Sequence, residues 1–147
     1  MYQHILVPVD GSVHSDRAVR EAARLAQDAH ASLTLLHVLP AAHKTLYTEG
    51  LEARDTKEEK VWDKAKAEDR GREILQNAAD LAGTAEVKRE LVTDGSPHLA
   101  ILAAAENGNC DVIVMGTRGY SGIAGVLVGS QTQKVLSKAN VPVLVIH

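Results

Sequence analysis

The chain has 147 residues, of which 45% are hydrophobic and 24% are charged, a balance typical of a folded globular domain. The formal net charge of −3 argues against a nucleic-acid partner or an acidic membrane surface. Phe is absent and Cys110 is the single cysteine, so the core must be aliphatic and no disulfide can form within the chain. The length fits a single domain, residues 1–147.

The N-terminal segment MYQHILVPVDGS lacks a basic region, and its apolar run is too short for a signal peptide. No apolar run approaches the roughly 20 residues of a membrane span. We therefore expect a soluble, cytoplasmic protein without a membrane partner.

Five short apolar runs predict strands. Several of them, such as ILV and VLVI, are continuous rather than alternating, which favours a parallel sheet covered on both faces. AEVKRELV alternates more and is expected nearer an edge of the sheet. In chain order the runs are His4–Val9, Ser32–Val38, Ala85–Val92, Asp111–Met115 and Pro142–His147.

Helical patterns separate these runs. Ser12 is a candidate N-cap for a helix with apolar residues near 3.6 periodicity. Ser96 followed by Pro97 predicts a helix over Pro97–Asn107, which Gly108 ends. Ser130 is a candidate cap for a helix over Gln131–Ala139.

The longest connection runs from Pro40 to Gly83. Its first part, Pro40–Arg54, shows no clear periodicity, whereas a charged helix is predicted from about Thr56 to Gly83, with an apolar stripe near its end. The charge run DTKEEK is typical of a solvated helix start, and a docking surface is the alternative.

Strands that alternate with helices predict an α/β fold with a parallel sheet. Ligands of such sheets lie at the carboxyl ends of the strands, where the strand order reverses. Two segments fall at such ends: Asp10-Gly11-Ser12 after the first strand, and the glycine-rich GTRGYSGIAGVLVGS after the fourth.

The glycine-rich stretch matches neither a Walker A loop, nor a dinucleotide fingerprint, nor a nucleophile elbow. What remains is the spacing Gly116-x2-Gly119-x9-Gly129-Ser130. Gly116 and Gly119 allow close approach of the backbone to a ligand, and Gly129 and Ser130 precede a helix whose N-terminus favours an anion. On spacing alone, a flexible loop followed by a capped helix is an equal alternative.

The spacing G-x2-G-x9-G-[S/T] resembles the ATP-binding signature of the universal stress protein family. HILVPVDGS, LTLLHV, DVIVMGTRGYSG and the segment from GS to KVLSKANVPVLVIH resemble that family along nearly the whole chain. The resemblance implies an α/β three-layer sandwich with a five-stranded parallel sheet of order 3-2-1-4-5, like that of the adenine-nucleotide alpha-hydrolases.

The resemblance also implies a set of nucleotide contacts. Asp10, flanked by Pro8, Val9 and Ser12, would face the ribose or base, and the backbone of Val38 would face the adenine. The phosphates would lie against the residues after the fourth strand, and the last strand would line the pocket. The residues implied there are Met115, Gly116, Arg118, Gly119, Gly129, Ser130, Gln131 and Val143. Gln131 departs from the family pattern, which often has a small or aliphatic residue, although its amide can donate to a phosphate.

The leading hypothesis is an ATP-binding regulator of a stress response that acts through an unidentified protein partner. The alternatives are a slow Mg-dependent ATPase and a nucleotide-free interaction module. Positive charge near the loop is scarce, so Mg²⁺ is expected to accompany a triphosphate. No catalytic residue is assigned, because no further acid or second arginine lies beside the loop. No protein metal ligand is assigned, since none of the seven histidines has a zinc-site spacing. The apolar last strand predicts a homodimer through that strand, as the resemblance to the family also implies, and the alternative is a monomer whose edge is covered by Pro40–Arg54.

Overall fold

The computed structural model describes residues 1–41, 63–83, 86–117 and 128–147. These residues form five strands and four helices in alternation. The strands are β1 (His4–Pro8), β2 (Ser32–Leu39), β3 (Val87–Thr93), β4 (Val112–Gly116) and β5 (Val143–Ile146). The helices are α1 (Val13–Ala29), α2 (Lys64–Ala82), α3 (Pro97–Asn107) and α4 (Ser130–Lys138).

All five strands join one parallel sheet in the order β3-β2-β1-β4-β5. The predicted sheet and strand order are therefore confirmed. The chain moves outward from β1 to β3, then returns to the other side of β1 to form β4. The order thus reverses between β1 and β4, where the connections lead away on opposite sides and where sheets of this kind open a crevice at the carboxyl edge.

Each face of the sheet is covered by a pair of helices, which gives three layers. One core joins α1 and α2 to strand residues such as Ile5, Val7 and Leu35. The other joins α3 and α4 to residues that alternate with these, such as Leu6 and Leu36. Because neighbouring residues of a strand enter opposite cores, the strands read as continuous apolar runs.

The first two helices begin at capping side chains. The Ser12 hydroxyl accepts a hydrogen bond from the Ser15 N–H at 3.2 Å, as the sequence predicts. The Asp63 carboxylate accepts one from the Lys66 N–H at 3.1 Å. α2 therefore begins at Lys64, later than the predicted start near Thr56, which lies outside the described residues. The reason is local, since the Asp63 side chain occupies an N–H that a longer helix would bond to its own backbone.

The prediction that Ser130 caps α4 is wrong. Gly129 is the N-cap, with extended backbone angles (φ −64°, ψ 157°), and Ser130 is already helical. Because glycine has no side chain, this N-cap residue makes no side-chain capping hydrogen bond. In the described part of the chain, no helix is both long and apolar enough to cross a membrane.

Candidate functional site

The turn after β1 places an acidic side chain at the carboxyl edge of the sheet. Asp10 Oδ1 accepts a hydrogen bond from the Ser12 N–H at 2.9 Å, which closes a local turn of the kind Asp favours. Gly11, between them, has φ +84°, a conformation that glycine adopts without the strain of a side chain. The turn thereby fixes the Asp10 carboxylate beside the start of α1.

Pro8 helps to open the crevice beside this turn. The Val9 N–H donates to the Leu36 carbonyl of β2 at 2.8 Å. Because backbone polar groups alternate in direction along a strand, the backbone nitrogen and carbonyl of the preceding residue, Pro8, face β4. Proline has no N–H to donate, and the pairing of β1 with β4 is confined to Ile5 and Leu6, whereas β1 pairs with β2 through Pro8. The two central strands therefore separate at their carboxyl ends.

Residues from three neighbouring strands reach the same level at this edge. Pro8 pairs with Leu36, so Val38 lies level with Asp10, two residues further along both strands. Leu6 pairs with Ile113 on the other side, which brings Gly116 and Thr117 to the level of Val9 and Asp10. The acidic turn thus lies between the ends of β2 and β4.

Gly116 has no room for a side chain. A Cβ there would lie 2.7 Å from the His14 carbonyl oxygen, a backbone atom of α1. The glycine lets the end of β4 contact the first turn of α1, and its predicted role in ligand approach stays a prediction. The His14 side chain leaves from this contact, and its Nδ1 is buried without a hydrogen-bond partner in the described part of the chain.

The start of α4 is fastened to the end of β4. The Gly129 N–H donates to the Thr117 carbonyl, and the Thr117 N–H donates to the Ile146 carbonyl at 3.0 Å. The Thr132 hydroxyl donates to the Gly116 carbonyl at 3.0 Å. Thr117 and Thr132 are buried and were not predicted as site residues. Their positions on either side of the glycine-rich connection could have indicated that they hold its two ends together.

This fastening leaves the first turn of α4 at the sheet edge without a side-chain cap. The first N–H groups of a helix carry a partial positive charge and have no partner within the helix. Ser130, the first helical residue, is exposed. The arrangement provides donors for an anion next to the crevice.

Gln131 makes a structural contact besides the phosphate contact that the family resemblance implies. Its side-chain Oε1 accepts a hydrogen bond from the His98 N–H of α3 at 2.9 Å and lies 3.3 Å from the His98 ring Nδ1. Ser96, the N-cap residue of α3, makes no side-chain capping bond, so Gln131 supplies the cap from another helix. The amide therefore bridges two helices instead of being free to reach a ligand through its oxygen.

The remaining predicted residues divide into three groups. Met115 and Val38 are buried in the core that α3 and α4 cover, so only their backbone can reach the edge. Val143 is not brought to the edge, because it pairs with Ile113 and so lies about 10 Å before the level of Ile146, at roughly 3.3 Å per residue. Arg118 and Gly119 lie outside the described residues.

A large cavity lies at the opposite end of the molecule. Its volume is about 600 Å³, and Arg20, Arg24 and His30 are among its lining residues. Arg24 lies in the C-terminal half of α1 and His30 is its C-cap, where the helix dipole is negative and opposes an anion. The cavity is therefore a weaker candidate for a phosphate ligand than the start of α4.

Comparison with known proteins agrees with this architecture. The sequence model of the universal stress protein family matches residues 1–147. The chain belongs to the universal stress protein family. A universal stress protein of Thermus aquaticus, encoded in the 3′ region of a QAH/OAS sulfhydrylase gene, is 36% identical, and the alignment covers 100% of both chains.

Solved members of the family share the fold. A universal stress protein from Archaeoglobus fulgidus, solved in complex with dAMP, superposes with a TM-score of 0.74 at 25% identity, covering 99% of this chain and 98% of that one. Another universal stress protein, solved in complex with cAMP, has a TM-score of 0.68 at 27% identity, covering 99% of this chain and 97% of that one. Both of these relatives bind adenine nucleotides.

Proposed function

We propose that the chain binds ATP with Mg²⁺ at the carboxyl edge of β1, β2 and β4. Occupancy would change its contacts with a partner protein during a stress response in the cytoplasm, the compartment that supplies ATP. The observation that carries the proposal is the start of α4 at Ser130, which follows an N-cap glycine without a side chain and is fastened to the end of β4 through Thr117 and Thr132. The dAMP and cAMP complexes of two relatives support an adenine nucleotide as the ligand.

The two sides of the crevice suit the two ends of a nucleotide. Asp10 and the backbone of Val38, level with each other on the β1–β2 side, would receive the nucleoside. Ser130, on the β4 side directly after Gly129, would receive the phosphates at the positive end of the helix dipole, while the Gly129 N–H stays bonded to the Thr117 carbonyl. Arg118 and Gly119 remain predicted phosphate contacts, and Met115 and Gly116 form the floor between the two sides.

The residues fit a metal that arrives with the phosphates. Among the described residues, no group of three His, Cys, Asp or Glu side chains could hold an ion. Mg²⁺ keeps several waters and is held in part by substrate phosphates instead of by an all-protein cage, and no protein ligand is assigned to it here. When bound, the ion would offset the charge of the triphosphate.

We also propose that the chain forms a homodimer through β5. This edge strand consists of VLVI and has no charged residue, and an apolar unpaired edge favours pairing with another strand. A twofold axis would let β5 pair with its own copy and close the assembly.

A charge placed at the helix start tests the phosphate contact. Ser130→Asp puts a carboxylate where the phosphates would lie, yet an acidic residue in the first turn of a helix is compatible with its stability. We expect ATP affinity to fall at least about tenfold, by repulsion of like charges, with adenosine affinity unchanged. Titration calorimetry with ATP, Mg²⁺ and adenosine measures both.

Ser137→Asp is the matched control. Ser137 is exposed near the other end of α4, so this substitution adds the same negative charge to the same helix but away from the site. Equal ATP affinity in wild type and Ser130→Asp would reject the α4 start as the phosphate site. A wild-type protein that binds no adenine nucleotide would instead indicate a nucleotide-free interaction module. Phosphate release from the ATP-bound wild type would identify a slow ATPase.

A further inference from the structure

His37 is a buried polar residue that the nucleotide site does not account for. It lies on β2, one residue before Val38, and is 8% exposed. Its ring Nδ1 lies 2.8 Å from the Val9 carbonyl oxygen. A carbonyl only accepts hydrogen bonds, so Nδ1 carries the proton and donates it to Val9.

This hydrogen bond holds the residue that precedes the acidic turn. The Val9 N–H already donates to the Leu36 carbonyl at 2.8 Å, so β2 holds Val9 through both its N–H and its carbonyl. The Val9 carbonyl belongs to the peptide group that leads into Asp10. The imidazole therefore sets the direction in which the chain leaves β1 and begins the Asp10 turn.

The neighbouring helix leaves space for this ring. Gly71 lies within α2, where glycine is about 1 kcal/mol less favourable than alanine. A Cβ at Gly71 would lie 3.0 Å from His37 Cδ2 and 2.7 Å from Leu91 Cδ1. The glycine thus allows α2 to pack against the imidazole and keep it over Val9.

We infer that His37 is a positioning residue of the candidate nucleotide site, which orients the Asp10 carboxylate through its hydrogen bond to the Val9 carbonyl. The inference rests on the proposed function for its effect on ligand binding. On this inference, His37 raises the affinity for the nucleotide without contacting it.

Three substitutions separate the hydrogen bond from the bulk of the ring. His37→Asn keeps an N–H close to the position of Nδ1, whereas His37→Gln carries its amide one methylene further along, and His37→Leu keeps an apolar side chain without a donor. We expect the Leu and Gln variants to raise the Kd of ATP and of adenosine about tenfold, the usual scale for one lost hydrogen bond. His37→Asn should stay within about threefold of wild type. Equal affinities in all the variants, or an equal loss in all three, would overturn the inference.

A double-mutant cycle tests whether the effect passes through Asp10. In an Asp10→Ala background, His37→Gln should weaken adenosine binding by less than about twofold, because the group it positions is gone. A full, additive loss in that background would show that His37 acts by another route.

Amide hydrogen exchange of the ligand-free protein gives a readout that does not depend on nucleotide binding. The Ser12 N–H, which donates to Asp10 Oδ1, should exchange about tenfold faster in the Gln and Leu variants and remain protected in the Asn variant. Amides of β3 should be unchanged. If wild type binds no adenine nucleotide, the proposed function fails while this measurement still decides the positioning role. If wild type binds ATP and the Ser12 amide is unaffected, the positioning role is wrong and the proposed function stands.

Discussion

At the scale of the residue, the two oxygens of the Asp10 carboxylate have different surroundings. Oδ1 accepts the Ser12 N–H and closes the turn, while no hydrogen bond to Oδ2 is found within the described ranges. Asp63 offers a close comparison, because its Oδ1 also accepts a hydrogen bond from a backbone N–H at a helix start. Asp63 differs in that it begins α2 and is not a predicted ligand contact. The pair therefore allows a loss of turn stability to be distinguished from a loss of ligand contact.

Asp10→Ala should weaken ATP and adenosine by the same factor, about tenfold, because the proposed contact is to the nucleoside. Asp63→Ala should lower the free energy of unfolding by about 1 kcal/mol, as for a lost N-cap, without a change in nucleotide affinity. Calorimetric titrations of both variants, with urea unfolding curves, provide the comparison. A loss restricted to the triphosphate would place Asp10 at the phosphates or the metal.

Cys110 is a residue whose environment predicts a pH effect. Burial of its thiol, helped by the carboxylates of Glu90 and Asp111, raises its pKa above the ordinary value of 9.0. As the pH rises past that value, the unfolded chain loses the thiol proton while the folded chain retains it. The stabilising contribution is therefore complete below the unfolded pKa and is lost as the pH rises toward the folded pKa.

Urea unfolding curves from neutral to alkaline pH should show this loss in wild type, and Cys110→Ala should show a shallower decline above about pH 9. The folded wild type should also react slowly with iodoacetamide near neutral pH, since the thiolate is the nucleophile. Identical alkaline slopes in the two proteins would show that the folded and unfolded thiols titrate alike.

At the scale of the element, the four described helices begin in three different ways. α1 and α2 are capped by side chains of their own N-cap residues, Ser12 and Asp63. α3 receives its cap from Gln131 of α4, and the N-cap residue of α4 is Gly129, which has no side chain to cap with. A glycine N-cap agrees with the use proposed for the N–H groups that follow it.

Gln131→Leu should remove the cap of α3 and lower the free energy of unfolding by about 1 kcal/mol. Gln131→Glu keeps an oxygen acceptor next to the His98 N–H, at a helix end that favours negative charge, and should stay near wild type. Gln27→Leu, at an exposed position on α1, is the control and should change stability by less than about 0.5 kcal/mol. Urea unfolding and the exchange rate of the His98 amide measure the effect. An unchanged His98 amide together with a loss of ATP affinity would return Gln131 to the phosphate site.

Local signals in the sequence explain why so much of the fold was predictable. The run DVIVM is apolar throughout because both faces of β4 are covered, and its strand was predicted to within one residue. The bounds of Pro97–Asn107 were also predicted, because Ser-Pro and Gly108 mark the two ends of α3 within its own sequence.

The features that local sequence did not predict are contacts between distant parts of the chain. Gln131 caps a helix more than thirty residues earlier in the sequence, and nothing near Gln131 indicates that partner. The place of Val143 depends on the register of β5 against β4, which is fixed by packing and not by its neighbours. The reason for Gly116 is likewise a contact with the His14 backbone, visible only once β4 and α1 are packed together.

At the scale of the whole molecule, the two edges of the sheet differ in their charge. β3 carries Lys88, Arg89 and Glu90, and charged side chains on an edge strand oppose pairing with another sheet. β5 has only apolar side chains, and Leu144 at its centre is 43% exposed. The β5 edge is thus the one expected to pair with a second copy.

Leu144→Lys tests that dimer without disturbing the core, because an exposed side chain can carry the charge into solvent. In an antiparallel pair of β5 strands about a twofold axis, each new lysine would lie near its own copy, and like charges at such distances destabilise the pairing. We expect wild type to sediment as a dimer at micromolar concentration and Leu144→Lys to sediment as a folded monomer with an unchanged far-UV spectrum. Leu136→Lys on α4, where the leucine is 45% exposed, is the matched control and should remain a dimer. A folded Leu144→Lys protein that stays dimeric would place the interface on another surface, and a monomeric wild type would reject the dimer itself.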